Sequence, residues 1–166
     1  MPRQRQHPGK RGGDGTGRNP TDRGKPGVKL HVLSDAAGIP LAAKVGPANR
    51  HDSTAFEAML DAVPGIKRPS GRRRRRPGKL HADKGYDYAR CRAACRRRGI
   101  KARIARVGVE PKGRLGRHRW VVERTLAWLK RYRRLAVRHE RRSDIHQAFL
   151  TLACSLICLR HLPEGL

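Results

Sequence analysis

Two acidic side chains lie where they could hold a divalent cation. Asp83 ends a short alternating segment, Lys79–Ala82, and directly precedes a turn at Gly85. Glu123 follows forty residues later in a stretch with helical periodicity. Strand ends are where α/β sheets place ligand-binding groups, and carboxylate oxygens are ligands that Mg²⁺ or Mn²⁺ prefers. A metal held by both acids could activate water and stabilise the leaving oxygen of a phosphodiester. Spacing alone is a weak signal, because any Asp and any Glu could be paired in this way.

The element that must position Glu123 is a helix predicted over about residues 118–135. Its apolar residues recur at the spacing of three to four that marks a buried helix face: Val121, Val122, Thr125, Leu126, Trp128, Leu129 and Tyr132. At about 100° per residue, Arg119, Lys130 and Arg134 fall within roughly 60° of Glu123. One carboxylate inside a stripe of cations suits a site that holds a metal ion and a phosphate backbone together. Trp120 and Trp128 could stack on bases, but their spacing of eight residues favours packing in the core.

The charge of the chain indicates a polyanionic partner. The 166 residues contain 40 Lys and Arg against 13 Asp and Glu, a formal net charge of +27. Such an excess favours nucleic acid over a small acidic substrate. A ribosomal or nucleoid protein, or an Arg-rich proteome, would also explain it. A loop bounded by Pro and Gly contains five consecutive arginines, which would contact phosphates or form a solvated insertion: Arg72, Arg73, Arg74, Arg75 and Arg76.

Composition also limits the class of protein. With 37% apolar residues, the chain can build one modest core. It contains no run of 18 or more apolar residues, and its basic N-terminus has no apolar segment of the kind found in signal peptides. We therefore expect a cytoplasmic protein with no membrane partner.

Four cysteines form two pairs with a spacing of four, Cys91 with Cys95 and Cys154 with Cys158. A zinc site with four sulfur ligands is conceivable. Structural zinc sites usually arrange their cysteines around a tight turn, however, and both pairs lie in helix-like stretches. We therefore expect these cysteines to behave as small core residues.

The order of elements predicts an α/β protein. Residues 1–27 are rich in Gly, Pro and Arg and indicate a flexible basic arm, so we expect order to begin at Val28. The predicted strands cover residues 28–34, 39–45, 79–83 and 100–105, the first two forming a hairpin. The predicted helices cover residues 53–62, 88–98, 118–135 and 144–162. On the last helix the expected core face is Ile145, Phe149, Leu152, Leu156 and Leu159. This order fits a mixed sheet with packed helices.

Several of these segments resemble the DDE transposases of bacterial insertion sequences. Lys79–Asp87 looks like the segment of their second aspartate, and Arg119–Lys130 is similar to their glutamate helix. In the related family signature an arginine precedes the glutamate by four residues and a lysine follows it by seven, as Arg119 and Lys130 do here. The tyrosine of that signature would fall at Gly116, where this chain departs from it. Thr21–His31 and Ala48–Asp52 also resemble the first hairpin of the family and its following loop, so the resemblance covers roughly residues 12–162.

The resemblance implies a ribonuclease H-like core in which three carboxylates bind two divalent ions, Mg²⁺ or Mn²⁺. Water and then a 3′-hydroxyl attack the phosphodiesters at the ends of the element. Asp83 and Glu123 would be the second and third acids and metal ligands. Arg119 and Lys130 would contact the DNA backbone or position strands at the cut, with the run Arg72–Arg76 adding phosphate contacts.

The first aspartate of the family lies on the opening strand of its core, upstream of the segment that matches residues 12–27. We therefore expect this chain to lack it. Asp14 imitates a catalytic aspartate but lies in the Gly-rich arm with no strand to hold it. Asp35 is better explained as a hairpin-turn residue, and Asp52 as the cap of the next helix.

These features predict a truncated ribonuclease H-like domain over residues 28–162, the C-terminal part of a DDE transposase. It would act on insertion-sequence ends and target DNA, would not cut DNA alone, and would be completed by a segment from an upstream reading frame or be a remnant. An open sheet edge would favour association, including a homo-oligomer. The alternatives are a non-enzymatic basic nucleic-acid-binding protein and a stand-alone nuclease of the same fold.

Overall fold

A computed structural model describes residues 7–8, 13–20, 23–67, 70–74, 76–109 and 116–162. Within these ranges the chain is a mixed α/β protein, as expected. None of the helices formed by these residues is both long and apolar enough to cross a membrane.

The N-terminal sheet is built around a long antiparallel hairpin. Strands β1 (His7–Pro8) and β2 (Gly17–Arg18) pair antiparallel with the first residues of β3 (Pro26–Ser34). The rest of β3 pairs with β4 (Pro40–Pro47), which confirms the predicted hairpin. Asp35 forms its turn, since Oδ1 accepts hydrogen bonds from the backbone N–H groups of Ala37 (2.9 Å) and Ile39 (2.8 Å).

The expectation that order begins at Val28 is wrong for the described part of residues 1–27. The N–H of Asp14 donates to the carbonyl of Arg141 at 2.8 Å, and the guanidinium of Arg138 donates to the carbonyl of Asp14 at 2.7 Å. Asn19 is buried. Backbone hydrogen bonds to β3 and to the C-terminal region therefore order these residues, although they have no apolar period.

A second, parallel sheet holds Asp83. Strand β7 (Lys79–Ala82) pairs in parallel with β8 (Lys101–Ile104), and α2 (Ala89–Arg97) connects them. Gly99 has a φ of +64°, which fits its predicted role after the helix C-terminus. Between the two larger sheets the chain forms α1 (Phe56–Asp61) and a two-stranded ribbon, β5 (Ile66–Lys67) with β6 (Arg73–Arg74), where we had expected only loop.

The start of the predicted 53–62 helix differs from the expectation. Residues Asp52–Thr54 form a 3₁₀ turn capped by the side chain of His51, which accepts from the N–H of Ser53. The prediction that Asp52 caps the helix is wrong, because its carboxylate pairs with Lys29 at 3.1 Å instead.

The C-terminal helices pack on the hairpin. Helices α3 (Gly116–Lys130), α4 (Arg133–Ala136) and α5 (Ser143–Leu159) follow one another, so the predicted 118–135 helix is interrupted after Lys130. Two buried clusters form the core. The first contains Phe56, Leu60, Leu80, Tyr86, Cys91, Ala94, Cys95, Ile100 and Ile104. The second contains Leu30, Leu126, Leu129, Leu135, Leu150, Ala153 and Ile157.

The predicted core face of α5 is wrong at four of its five positions, while Phe149 packs against the second cluster as expected. Ile145, Leu152, Leu156 and Leu159 are exposed. The helix instead buries His146, Leu150, Ala153 and Ile157. Both stripes are apolar enough to satisfy a helical periodicity, and the pattern alone does not say which stripe faces the sheet.

Candidate metal and nucleic-acid site

Asp83 is a buried carboxylate fixed by the turn that follows it. It lies directly after β7 and is only 6% exposed. Its Oδ1 accepts a hydrogen bond from the N–H of Gly85 at 2.9 Å, and its carbonyl accepts one from the N–H of Tyr86 at 3.1 Å. The side chain of Asp83 thus caps the short 3₁₀ turn Lys84–Tyr86. A carboxylate held in this way is pre-oriented at the end of a strand.

Glu123 is exposed on a helix that is anchored to the hairpin turn. Two residues further on, the buried hydroxyl of Thr125 donates to the carbonyl of Gly38 at 2.6 Å. Leu126 and Leu129 enter the second core cluster from the same helix. The buried face predicted for this helix is confirmed at these three positions, and it leaves Glu123 on the solvent side.

A cavity of about 580 Å³ brings the two segments together. One wall is β3 from His31 to Ser34, followed by Asp35, and the facing wall is Gly78 with β7. Helix α1 also contributes to the walls, as do two residues of α3, Val121 and Val122. Ala82 and Val122 both line this cavity, and each directly precedes one of the two acids. Neither acid lines the cavity itself, but the end of β7 before Asp83 and the turn of α3 before Glu123 both do.

The titratable groups that line the cavity include Asp52 and His31. Asp52 is paired with Lys29, whose ammonium also donates to the carbonyl of Arg50 at 2.9 Å. Burial lowers the pKa of His31, an effect that the nearby Asp52 opposes and Lys29 reinforces. The Nδ1 atom of His31 is buried and has no hydrogen-bond partner among the described residues.

The donor chemistry suits a hard divalent cation only in part. Asp83 and Glu123 offer oxygen ligands of the kind that Mg²⁺ or Mn²⁺ prefers. Within the described ranges, however, no three His, Cys, Asp or Glu side chains are grouped closely enough to hold a metal. The described residues therefore do not form a complete metal site.

The basic residues that were predicted to contact DNA lie in two regions, the arginine run Arg72–Arg76 and helix α3. Arg74, Arg76, Lys79 and Arg103 line the cavity, so part of the arginine run lies beside it. Arg72 and Arg73 are exposed nearby, while Arg75 lies outside the described residues. The backbone of Arg119 and the whole of Lys130 lie on α3, but the side chain of Arg119 is outside the described part.

The cation stripe expected around Glu123 does not include Arg134. That residue lies on α4 and pairs with Glu140 at 3.0 Å. The two tryptophans also differ. Trp128 packs against the second core cluster as expected, but Trp120 is 51% exposed, so its predicted core position is wrong. The guanidinium of Arg124 lies 4.5 Å from the ring centroid of Trp120 and 4.9 Å from that of Trp128.

The cysteines belong to two separate regions of the core. Cys91 and Cys95 are fully buried in the first cluster, and Cys154 packs against the second. Burial raises the pKa of the Cys154 thiol to about 12, with a smaller contribution from Cys158. The prediction of core packing is confirmed for Cys91, Cys95 and Cys154.

Sequence reasoning missed a clamp next to Asp83. The carboxylate of Asp87 accepts from the side chain of Arg92 and from the N–H of Val107 at 3.0 Å. These two hydrogen bonds, the backbone one contributing most, hold the pKa of Asp87 below its usual value. Arg92 in turn donates to the carbonyl of Ile104 at 3.0 Å. The clamp ties the turn after Asp83 to the end of β8.

The chain is similar to known proteins over most of its length. Residues 3–158 match the family described as Transposase DDE domain. The chain is 52% identical over 143 residues to a protein of Burkholderia cepacia named as a transposase for insertion sequence element IS402, covering 86% of this chain and 68% of that one. It is 32% identical over 141 residues to a Brucella ovis protein named as a transposase for insertion sequence element IS6501, covering 80% of this chain and 98% of that one.

Proposed function

The chain belongs to the DDE transposase family, and we propose that it contributes Asp83 and Glu123 to a metal site that cleaves and joins DNA during transposition. The observation that carries this proposal is the shared cavity, since Ala82 and Val122, the residues before the two acids, both line it. Mg²⁺ or Mn²⁺ held there would stabilise the charge that develops on a phosphodiester and lower the pKa of water.

The residues of the chain supply orientation and charge. The N–H of Gly85 holds the carboxylate of Asp83, and the hydroxyl of Thr125 fixes α3 against the hairpin turn. Arg74, Arg76 and Arg103 at the cavity place cations where DNA phosphates would approach the acids. Arg119 and Lys130, on the same helix as Glu123, would extend this contact along the DNA backbone.

We further propose that this site is incomplete until a β-strand enters the cavity, as it would in a ribonuclease H-like sheet. The cavity is lined by β3 and by β7; β4 pairs along one edge of β3, and we propose that the other edge faces the cavity. Strand β1 already pairs antiparallel with the beginning of that edge, at Val28 and Gly27. A strand that continues this pairing along β3 would join the two sheets and bring a further metal ligand. Without it, two acids hold metal poorly, and we expect no DNA cleavage.

Thermal unfolding with Mn²⁺ tests the metal site, because a ligand that binds only the folded state raises its stability. We expect Mn²⁺ to raise the Tm of the chain and to raise it less in Asp83→Asn and in Glu123→Gln. The matched control is Asp144→Asn, an exposed carboxylate paired with Arg142 on α5. Equal shifts in all four proteins would refute the assignment.

A nicking assay on supercoiled plasmid tests the need for the strand. The chain alone with Mg²⁺ or Mn²⁺ should leave the plasmid intact. Nicking that disappears in Asp83→Asn would show that the site is complete without a further strand and would favour the stand-alone nuclease.

The net charge of +27 also supports a second candidate, a non-enzymatic nucleic-acid-binding protein. In that case Mn²⁺ would change neither the Tm nor the affinity for duplex DNA, and Glu123→Gln would bind DNA like the unmodified chain.

A further inference from the structure

The outer face of α5 is an exposed apolar stripe. Ile145 is 42% exposed, Leu152 56%, Leu156 37% and Leu159 61%. At about 100° per residue these four side chains fall within roughly 60° of one another. A run of large apolar side chains on one surface marks an interaction site more often than isolated exposed residues do.

This stripe is not part of the core of the molecule. The side chains of Leu150, Ala153 and Ile157 leave the helix about 120° away and are buried in the second cluster. The helix is therefore apolar on two sides, one facing the sheet and one facing solvent.

The same helix lacks the cations that dominate the rest of the chain. Residues Ser143–Leu159 contain no Lys or Arg, although the whole chain has 40 in 166 residues. A surface without cations is poorly suited to DNA. It is also a surface on which two copies of a protein of charge +27 could meet without placing like charges in contact.

The pattern on the helix is symmetric about Leu152. Ile145 precedes it by seven residues and Leu159 follows it by seven, while Ala148 and Leu156 lie four residues to either side. A two-fold axis at Leu152 would pack Ile145 of one copy on Leu159 of the other and the small Ala148 against the larger Leu156. Such self-complementarity is what an interface between identical subunits requires.

We propose that the outer face of α5 forms a homodimer contact in which two α5 helices pack antiparallel around a two-fold axis at Leu152. From Ile145 to Leu159 the stripe spans about 21 Å. A single helix pair of this length is at the small end of specific interfaces, below about 1,200 Å² in total. We therefore expect a weak dimer, with a Kd on the order of micromolar. This contact does not depend on the metal or DNA chemistry proposed above.

Sedimentation equilibrium of the full chain tests the dimer. The expected result is reversible dimerisation in the micromolar range, strengthened when NaCl screens the repulsion between the two basic copies. The same increase in NaCl concentration should weaken the binding of DNA. Leu152→Glu should weaken dimerisation at least tenfold, because it would bring two carboxylates together at the axis. Thr151→Glu is the matched control, since Thr151 is exposed but points about 100° away.

Cross-linking with a short bis-maleimide tests the antiparallel register. Leu152→Cys should cross-link to itself. Ile145→Cys should cross-link to Leu159→Cys in a mixture, but not to itself, because its two copies would be about 21 Å apart. The unmodified chain gives the background from its own cysteines.

Three outcomes would overturn the proposal. The first is a monomer at about 200 µM, far above the expected micromolar Kd. The second is dimerisation that Leu152→Glu does not weaken, and the third is self-cross-linking of Ile145→Cys. A monomer would mean that the stripe receives a different polypeptide. Loss of the dimer would leave the Mn²⁺ shifts of Asp83→Asn and Glu123→Gln unchanged, so this proposal and the metal site fail independently.

Discussion

The N–H of Gly85 donates a hydrogen bond to Oδ1 of Asp83 at 2.9 Å, and a Cβ added at Gly85 would lie 3.0 Å from the same oxygen. The turn thus holds the carboxylate and leaves only a tight fit for a side chain beside it. Gly85→Ala should displace this carboxylate by a few tenths of an ångström. Because groups that orient a metal ligand are typically worth 10–100-fold in affinity, we expect Mn²⁺ binding to weaken by about tenfold. Calorimetric titration with Mn²⁺ measures this, with circular dichroism as the check on the fold. Unchanged affinity would mean that Asp83 is not a ligand in its observed position.

The second prediction concerns two leucines of different burial. Leu129 is fully buried in the second core cluster, whereas Leu159 is 61% exposed. Leu129→Ala should lower the free energy of unfolding by about 2–5 kcal/mol, because it loses apolar contacts and leaves a cavity. Leu159→Ala should change it by less than about 0.5 kcal/mol when measured on dilute monomer. Urea unfolding compares the two, and equal effects would contradict the orientation of the helices.

Local sequence patterns predicted most of the elements around the site. The hairpin with Asp35 in its turn, the strand before Asp83, the helix ending before Gly99 and the buried face around Leu129 all follow from local periodicity and turn chemistry. These features depend on residues close in sequence, so a single chain is enough to predict them.

The features that were missed depend on contacts between distant residues. The order of residues 13–20 comes from hydrogen bonds to β3 and to residues 138–141, which no local pattern encodes. The interruption of the helix after Lys130 and the choice of buried face on α5 also depend on how the helices pack. At the site, the spacing of Asp83 and Glu123 could not show that Ala82 and Val122 line one cavity.

The third prediction concerns pH. Burial lowers the pKa of His146, an effect that its hydrogen bond to Glu140 opposes. Burial likewise lowers the pKa of His31. Below about pH 6.5 these histidines therefore bind protons more readily in the unfolded chain than in the folded one. The stability that the neutral histidines provide is fully present above that pH and is lost as the pH falls toward their folded pKa. Each histidine contributes a slope of up to about 1.4 kcal/mol per pH unit between 6.5 and its folded pKa.

His146→Gln should remove one part of that pH dependence, whatever its effect on Tm at neutral pH. The exposed His139→Gln is the matched control. Urea unfolding from pH 7.5 to 5 measures the slope. A slope that is equal in His146→Gln and the unmodified chain would contradict a neutral, buried His146.

The fourth prediction concerns thiol reactivity. Because the pKa of Cys154 is raised to about 12, its thiolate is scarce near neutral pH. At pH 8 the native protein should alkylate at Cys154 about a thousandfold more slowly than the unfolded chain does, since the thiolate is the reactive form. Iodoacetamide labelling followed by peptide mass spectrometry gives the rate at each cysteine. Equal native and unfolded rates would place Cys154 outside the core.

The fifth prediction concerns the arginines at the cavity. The slope of log K against log salt for duplex DNA is negative. If Arg74 and Arg76 each contact one phosphate, replacing both with Ala should make this slope less negative by about 1.8. Fluorescence anisotropy at NaCl concentrations from about 50 to about 300 mM measures this slope. Arg97→Ala is the control, because that guanidinium already pairs with Glu57 at 2.8 Å. An unchanged slope in the double variant would remove these arginines from the DNA contact.

The cavity between β3 and β7 also affects how the molecule unfolds. Its walls include Phe56, Leu60, Leu80 and Tyr86 of the first core cluster, and Val122, which packs against the second. Because no strand formed by the described residues crosses the gap, hydrogen exchange in the two clusters should proceed through separate openings with different free energies. A strand that fills the gap would hydrogen-bond to both sheets and merge these openings into one cooperative event. Completing the site would then also turn two weakly coupled folding units into one.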